Sequence, residues 1–279
     1  MVRRSKSPSP FLLLLLSSLS TAFLLAPASA QAVAPAAAPT KAASSAPAVT
    51  DPSFPRYLLD QVDDQFRGSS SHSIMRMQVK STHWERSMRL EGWTLNKDYS
   101  LIRILEPKKE RGTATLKAQS DLFTYLSKTG RTIKISDASM GGAWMGSHFT
   151  NDDLIKNSRL ADDFTYTLTN GPTIKGEDTW VVVLIPKPRA AVVWGRVDVM
   201  IRKSDLLPAA QLFYSEDLKP IRKLEFSDYI VVGTRKVASR MRMTPLDQSG
   251  EFTEIFYENL SFDVHLSPDF FSLQKLKSI

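Results

Sequence analysis

Cysteine is absent from all 279 residues. An exported chain without it forms no disulfides, carries no thiol chemistry and takes no lipid anchor through an N-terminal cysteine. Histidine is nearly as scarce: His72, His83, His148 and His265 are the full set, and no two of them stand at a metal-ligand spacing. There is no Gly-x-Ser-x-Gly turn, no phosphate-binding glycine loop, and no serine with an orienting base in view. Basic runs are missing apart from Pro107-Lys-Lys-Glu-Arg111, which argues against a nucleic-acid partner. The expectation is a protein with no catalytic residues, no metal and no cofactor.

Long apolar runs are also missing beyond the N-terminus. Residues 1–30 read as a secretory leader: Arg3, Arg4 and Lys6, then the apolar run Phe11–Leu25, then Ala28-Ser29-Ala30 as a small-residue cleavage site. The run is short and serine-interrupted for a bilayer span, although an uncleaved anchor is the alternative. Cleavage near Ala30 would release a chain expected to be soluble in a periplasm. Loss of the three leader cations lowers the formal net charge from +7 to +4. Residues 31–50 are almost all Ala, Pro and Ser, the composition of a disordered linker. The remainder, 51–279, is expected to be one domain, long enough to be stabilised by its own core.

What is present is dense two-residue alternation. Met75, Met77 and Val79 alternate with Arg76, Gln78 and Lys80; Met88 and Leu90 alternate with Arg89 and Glu91; Val237, Met241 and Met243 alternate with Lys236, Arg240 and Arg242. Such runs predict six strands between Ser73 and Ser136 and seven between Phe164 and His265. Lys128-Thr-Gly130 reads as a hairpin turn, and Ser100–Glu106 is apolar on both faces until Pro107 ends it. Helices are few. Tyr57, Leu58, Val62 and Phe66 recur at helical spacing between an Asp51 or Ser53 cap and Gly68. A short helix is predicted from about Asn151 to Asn157, and Ser267-Pro268 opens a last helical turn that docks Phe270, Phe271, Leu273 and Leu276.

This pattern predicts a mainly β fold. A dozen antiparallel strands do not stay flat, because twist makes a large sheet curl or close. Two or three short helices are expected to cover its concave face, too few to fill it. The consistent solution is a strongly curved antiparallel sheet or incomplete β-barrel, its concave face partly filled by the Asp51–Phe66 helix. An interior wider than its own side chains can fill is a container.

The candidate lining is Met75, Met77, Val79, Met88, Leu90, Val237, Met241 and Met243. Methionine is flexible and over-used on surfaces that accept variable apolar partners, and it is equally a filler of irregular cores. The stretch joining the two β halves supplies a candidate lid: Trp144, Met145, Gly146, Ser147, Phe149 and Leu154. The alternative is a loop plugged into the core. His148 with Asp152 and Asp153 is the one cluster worth testing as a metal or hydrolase site, against a bland reading as turn and helix cap. The basic outer positions Arg76, Lys80, Arg89, Arg240 and Arg242 read as solvated strand faces or as a surface for an acidic partner.

The blocks Met75-Arg-Met-Gln-Val79, Arg89-Leu-Glu-Gly-Trp93, Leu101-Ile-Arg-Ile-Leu105-Glu-Pro107, Arg111-Gly-Thr-Ala-Thr-Leu116 and Met145-Gly-Ser-His-Phe-Thr-Asn-Asp-Asp-Leu154 stand in an order that resembles the LolA-like outer-membrane lipoprotein-sorting family. The likeness is to its uncharacterised periplasmic subgroup and covers about residues 52–279. Gly-Ser-x-Phe-x-x-x-Asp-Leu is its most specific element. The sequence departs from the family at His148, where an acidic residue is usual, and at Phe123, where tryptophan is more typical. The resemblance implies a non-enzymatic periplasmic carrier or chaperone, a monomer, binding acyl chains of a lipidated protein or another lipid for outer-membrane sorting. The alternative is an accessory or sensor module of an inner-membrane exporter or an envelope-stress pathway.

Overall fold

Alternation at this density leaves each strand one apolar face to bury, and neighbouring strands share the solution by pairing edge to edge. The computed structural model describes residues 46–278 apart from 157–159, 189 and 191; the leader and most of the linker fall outside the described residues. Six strands come first: β1 (Ser70–Lys80), β2 (Glu85–Leu95), β3 (Tyr99–Glu106), β4 (Ala114–Ala118), β5 (Asp121–Leu126) and β6 (Arg131–Lys134). Seven follow the central loop: β7 (Phe164–Asn170), β8 (Thr179–Pro186), β9 (Arg196–Arg202), β10 (Pro208–Tyr214), β11 (Pro220–Val232), β12 (Arg235–Pro245) and β13 (Phe252–Phe262).

All thirteen join one curved, unclosed antiparallel sheet in the order β6-β5-β4-β3-β2-β1-β13-β12-β11-β10-β9-β8-β7. Each half is a meander, and the long-range pairing of β1 with β13 welds the two. The edge strands are therefore β6 and β7, the last strand of the first half and the first strand of the second. The chain between them must cross the opening that the sheet leaves. That placement follows from topology alone.

The first helix, α1 (Phe54–Arg67), lays Leu58, Leu59 and Val62 into the main apolar cluster with Met77, Val79, Met88 and Leu90. Pro55 stands in its first turn, but the Ser53 side chain caps nothing. Asp51 Oδ1 instead accepts the Ser53 N–H at 2.8 Å and its hydroxyl at 2.7 Å, ordering the turn ahead of the helix. Two short helices, α2 (Asn151–Lys156) and α3 (Leu160–Asp163), lie on the crossing segment.

The last helix, α4 (Leu273–Lys277), differs from the expectation that the helices cover the concave face. Phe271 and Leu276 pack on Leu101, Ala114 and Leu116, a second cluster on the opposite side of the sheet. The reason lies in β3. Leu101 points one way while Ile102 and Ile104 point the other into the main cluster, so both faces need cover. Arg103 reinforces this dock, donating to the Ser278 carbonyl at 3.0 Å and stacking on Trp93. Leu273, expected to dock, is 44% exposed.

Candidate functional site

The crossing segment is fixed by its own backbone and by side chains of four strands, β2, β4, β11 and β13. Ala143 and Thr150 form an isolated antiparallel bridge, closed by the Trp144 N–H donating to the Phe149 carbonyl at 2.8 Å. Met145 and Gly146 both take the left-handed conformation at the tip, with φ of 49° and 68°. Arg86 of β2 donates to the Met145 carbonyl at 2.8 Å, and the Trp144 indole donates to Thr115 Oγ1 of β4 at 3.1 Å. Thr253 Oγ1 of β13 accepts the His148 N–H at 2.9 Å. Ser147 braces the turn, its hydroxyl donating to the Trp144 carbonyl and accepting the Phe149 N–H.

Behind this loop lies a cavity of about 220 Å³. Leu59 and Val62 of α1 form one wall and Met75, Leu90 and Ile102 of β1–β3 another. Leu224, Phe226, Met241 and Ile255 of β11–β13 close the far side, and Trp144, Phe149 and Leu154 form the roof. Gly92 contributes by having no side chain: a Cβ there would stand 3.0 Å from the Met75 Cε, so the methionine tip lies across bare backbone. Charges gather at one end. Lys97 bridges Asp63 at 3.1 Å and Asp60 at 3.4 Å, and Arg67 holds Asp63 at 3.1 Å. Asp60 and Lys97 are about two-fifths exposed, which marks this end as the mouth. Tyr257 stands opposite Met75, its hydroxyl pushed up to about 12 by burial, so the wall there is neutral.

The expected lining residues divide by position. Met75, Leu90 and Met241 border the cavity, while Met77, Val79, Met88 and Met243 are buried in the cluster around it. Val237 is buried on β12. Of the loop, Trp144, Phe149 and Leu154 face the cavity, Met145 packs partly against the cluster, and Gly146 and Ser147 shape the turn.

His148, Asp152 and Asp153 do not converge on one point. Asp153 forms a reciprocal cap with Thr150, whose N–H donates to Asp153 Oδ2 at 2.7 Å while the Asp153 N–H donates to Thr150 Oγ1 at 3.3 Å. The cap is thus Thr150, with Asp153 as the third helical residue. Asp153 also makes a bidentate pair with Arg222 of β11, at 2.9 and 2.5 Å, both side chains under a tenth exposed. Arg222 sits in the corner between the Trp194 and Phe213 rings, 4.0 and 4.3 Å from their centroids, the two rings being 5.3 Å from each other. Among the described residues no three His, Asp or Glu side chains gather to hold a metal.

His148 belongs to a different anchor, one the sequence pattern concealed. Glu251, in the turn before β13, accepts from Ser81 Oγ, the Thr82 N–H and the Thr82 hydroxyl at 3.0, 2.7 and 2.6 Å. His148 Nε2 lies 3.2 Å from its other oxygen. The Thr82 hydroxyl and N–H, then His148, hold the carboxyl down at about 2 against an ordinary 4.5. A depressed carboxyl stabilises above its ordinary value and loses that contribution as pH falls through its folded one. The loop anchor should therefore be intact at pH 7 and weaken between about pH 4.5 and 2. The hydrogen-exchange protection of residues 143–150, taken relative to the intrinsic rate at each pH, should fall over that interval in the native protein, and Glu251→Gln should be weakly protected at every pH. A pH-independent native profile would refute the anchor.

Four of the five basic outer positions are paired along the strands, two arginines to each glutamate. Arg76 and Arg89 converge on Glu258, whose carboxyl they hold below the ordinary range, and Arg240 and Arg242 converge on Glu254. No helix of the described residues is long and apolar enough to cross a membrane.

Comparison with known proteins places this geometry. A family model described as an uncharacterized protein matches residues 96–278. No curated protein matches the chain. A DUF1329 family protein from Desulfovibrio piger superposes with a TM-score of 0.73 at 24% identity, over 80% of this chain and 97% of that one. A domain from Vibrio parahaemolyticus named for outer membrane lipoprotein sorting gives 0.70 at 23%, over 80% and 97%. A LolA superfamily protein from Nitrosomonas europaea gives 0.67 at 20%, over 79% and 98%. At these identities the likeness is one of fold.

Proposed function

Since the chain belongs to the family of uncharacterized proteins that this model defines, and its sheet is LolA-like, we propose that it is a non-enzymatic periplasmic carrier holding an acyl chain of a lipid or lipidated protein. The observation that carries the reading is the apolar cavity of about 220 Å³ with its charged mouth. An engineered dry cavity of roughly 150 Å³ already takes up benzene, so this one admits a single chain segment. A cargo with several chains would require the roof loop or α1 to move aside.

Burial alone supplies the affinity. Each methylene removed from water contributes about 0.8 kcal/mol, so ten contribute about 8 kcal/mol, the scale of a micromolar dissociation constant before ordering costs. Paired charges at the mouth then orient a polar head without being needed for binding. A fluorescent fatty acid titrated into delipidated protein should saturate at one per chain; a linear, non-saturating signal would remove the proposal. N-terminal sequencing of the exported protein should begin just after Ala30, and an intact Met1 would replace the periplasmic form with an anchored one.

A further inference from the structure

One group on the cavity wall is left unsatisfied by a plain hydrocarbon chain. Gln211 of β10 borders the cavity and is 4% exposed, and its Oε1 finds no hydrogen-bond partner among the described residues. Its neighbours across the strands are Val199 and Leu224. That row continues over the inner face through Met243, Thr253 and Val79 to Arg86. Thr253 is engaged by His148, and Arg86 by the Met145 carbonyl and Glu110. Gln211 stands apart from this pattern.

Buried side-chain polar atoms are overwhelmingly partnered, and an unpartnered one calls for an explanation. The side chains directly opposite Gln211, Val199 and Leu224, are aliphatic and offer an ordered water none of the two to four polar partners it needs. The Asp153 oxygens, also on the wall, are already taken by Arg222 and the Thr150 N–H.

Resting on the carrier reading above, we propose that the acyl chain this cavity takes carries a hydroxyl part-way along its length, and that Gln211 recognises it. A hydroxyl donates and accepts, so it meets whichever end of the amide faces the cavity. The head of the chain lies at the mouth with Lys97 and Arg67, and Gln211 lies inside, so the hydroxyl it reads is interior to the chain. A site built to hydrogen-bond a hydroxyl discriminates against the analogue lacking one. One net hydrogen bond corresponds to a preference on the order of tenfold.

Competition against the fluorescent fatty acid tests this with hexadecanoic acid and a panel of its monohydroxy isomers, the hydroxyl stepped along the chain. At least one interior isomer should compete about tenfold better than the parent acid. Gln211→Leu, which keeps the volume and removes both polar atoms, should erase that difference, the isomers then ranking with the parent acid. If the parent and every isomer compete equally in the unmodified protein, Gln211 recognises nothing and the carrier reading survives. If the fluorescent acid itself is not bound, the carrier reading falls and this inference falls with it. The ranking of isomers in the unmodified protein needs no variant, so it decides the matter even where Gln211→Leu misfolds.

Discussion

Asp153→Ala lowers the melting temperature by roughly 6–20 °C. Removing one partner of a buried ion pair typically costs about 3–5 kcal/mol, because the other charge stays buried without compensation. For a domain of this size each kcal/mol moves the midpoint by about 2–4 °C. Arg222 is 6% exposed and packs against two aromatic rings, so it cannot swing into water cheaply. Once Asp153 is gone, Arg222 keeps the His148 carbonyl at 3.2 Å as an acceptor, a neutral group in place of a carboxylate. Asp153→Asn should cost less, since one oxygen remains for the Thr150 N–H or for Arg222. The double replacement Asp153→Leu with Arg222→Met should recover most of the loss, as buried pairs exchanged for apolar groups of similar volume often do. Thermal unfolding of the three variants checks this order, and an unchanged midpoint in Asp153→Ala would show that the pair does not anchor the loop.

The second large effect separates two methionines that the alternation pattern treats alike. Met77 is fully buried, opposite Met88 and Ile255. A carboxylate there has no water and no partner, so Met77→Glu should leave the chain unfolded or raise the glutamate's pKa until it is neutral. Met241 is only partly buried and faces the cavity. Met241→Glu should fold, with a modest loss of stability, and bind the fluorescent fatty acid at least a hundredfold more weakly, because a charge now shares the space of the chain. Circular dichroism and the binding titration distinguish the two. Unfolding of both variants would mean that Met241 is ordinary core.

Much of this was legible because strands advertise themselves locally. Met75-Arg-Met-Gln-Val needs no partner to reveal its inner face, and Gly68 and Pro55 bracket α1 by backbone chemistry alone. What was hidden depends on distant pairs. Nothing in the neighbourhood of His148 points to Glu251, more than a hundred residues on, or of Asp153 to Arg222; β1 pairing with β13 brings the first into reach, and the curvature of the sheet the second. The same curvature decides that Met241 meets empty space and Met77 does not, since both lie on the inner face.

Two features could have been read and were obscured by stronger signals. The apolar faces of β3 on both sides already demanded cover on the convex side, which α4 supplies. Gln211 interrupts the otherwise apolar run Pro208-Ala-Ala-Gln-Leu-Phe-Tyr214, a polar side chain in a strand with no polar face of its own. Such a breach of pattern is expected at functional positions, where a local rule is broken for a gain elsewhere.

Native mass spectrometry of the protein isolated from its own host without detergent tests the central claim most directly. The account predicts a single lipid-sized adduct on each chain, absent from Met241→Glu isolated in parallel. Unadorned chains from the unmodified protein, with no saturable uptake of added fatty acid, would contradict it and leave the hollow in the sheet without an occupant.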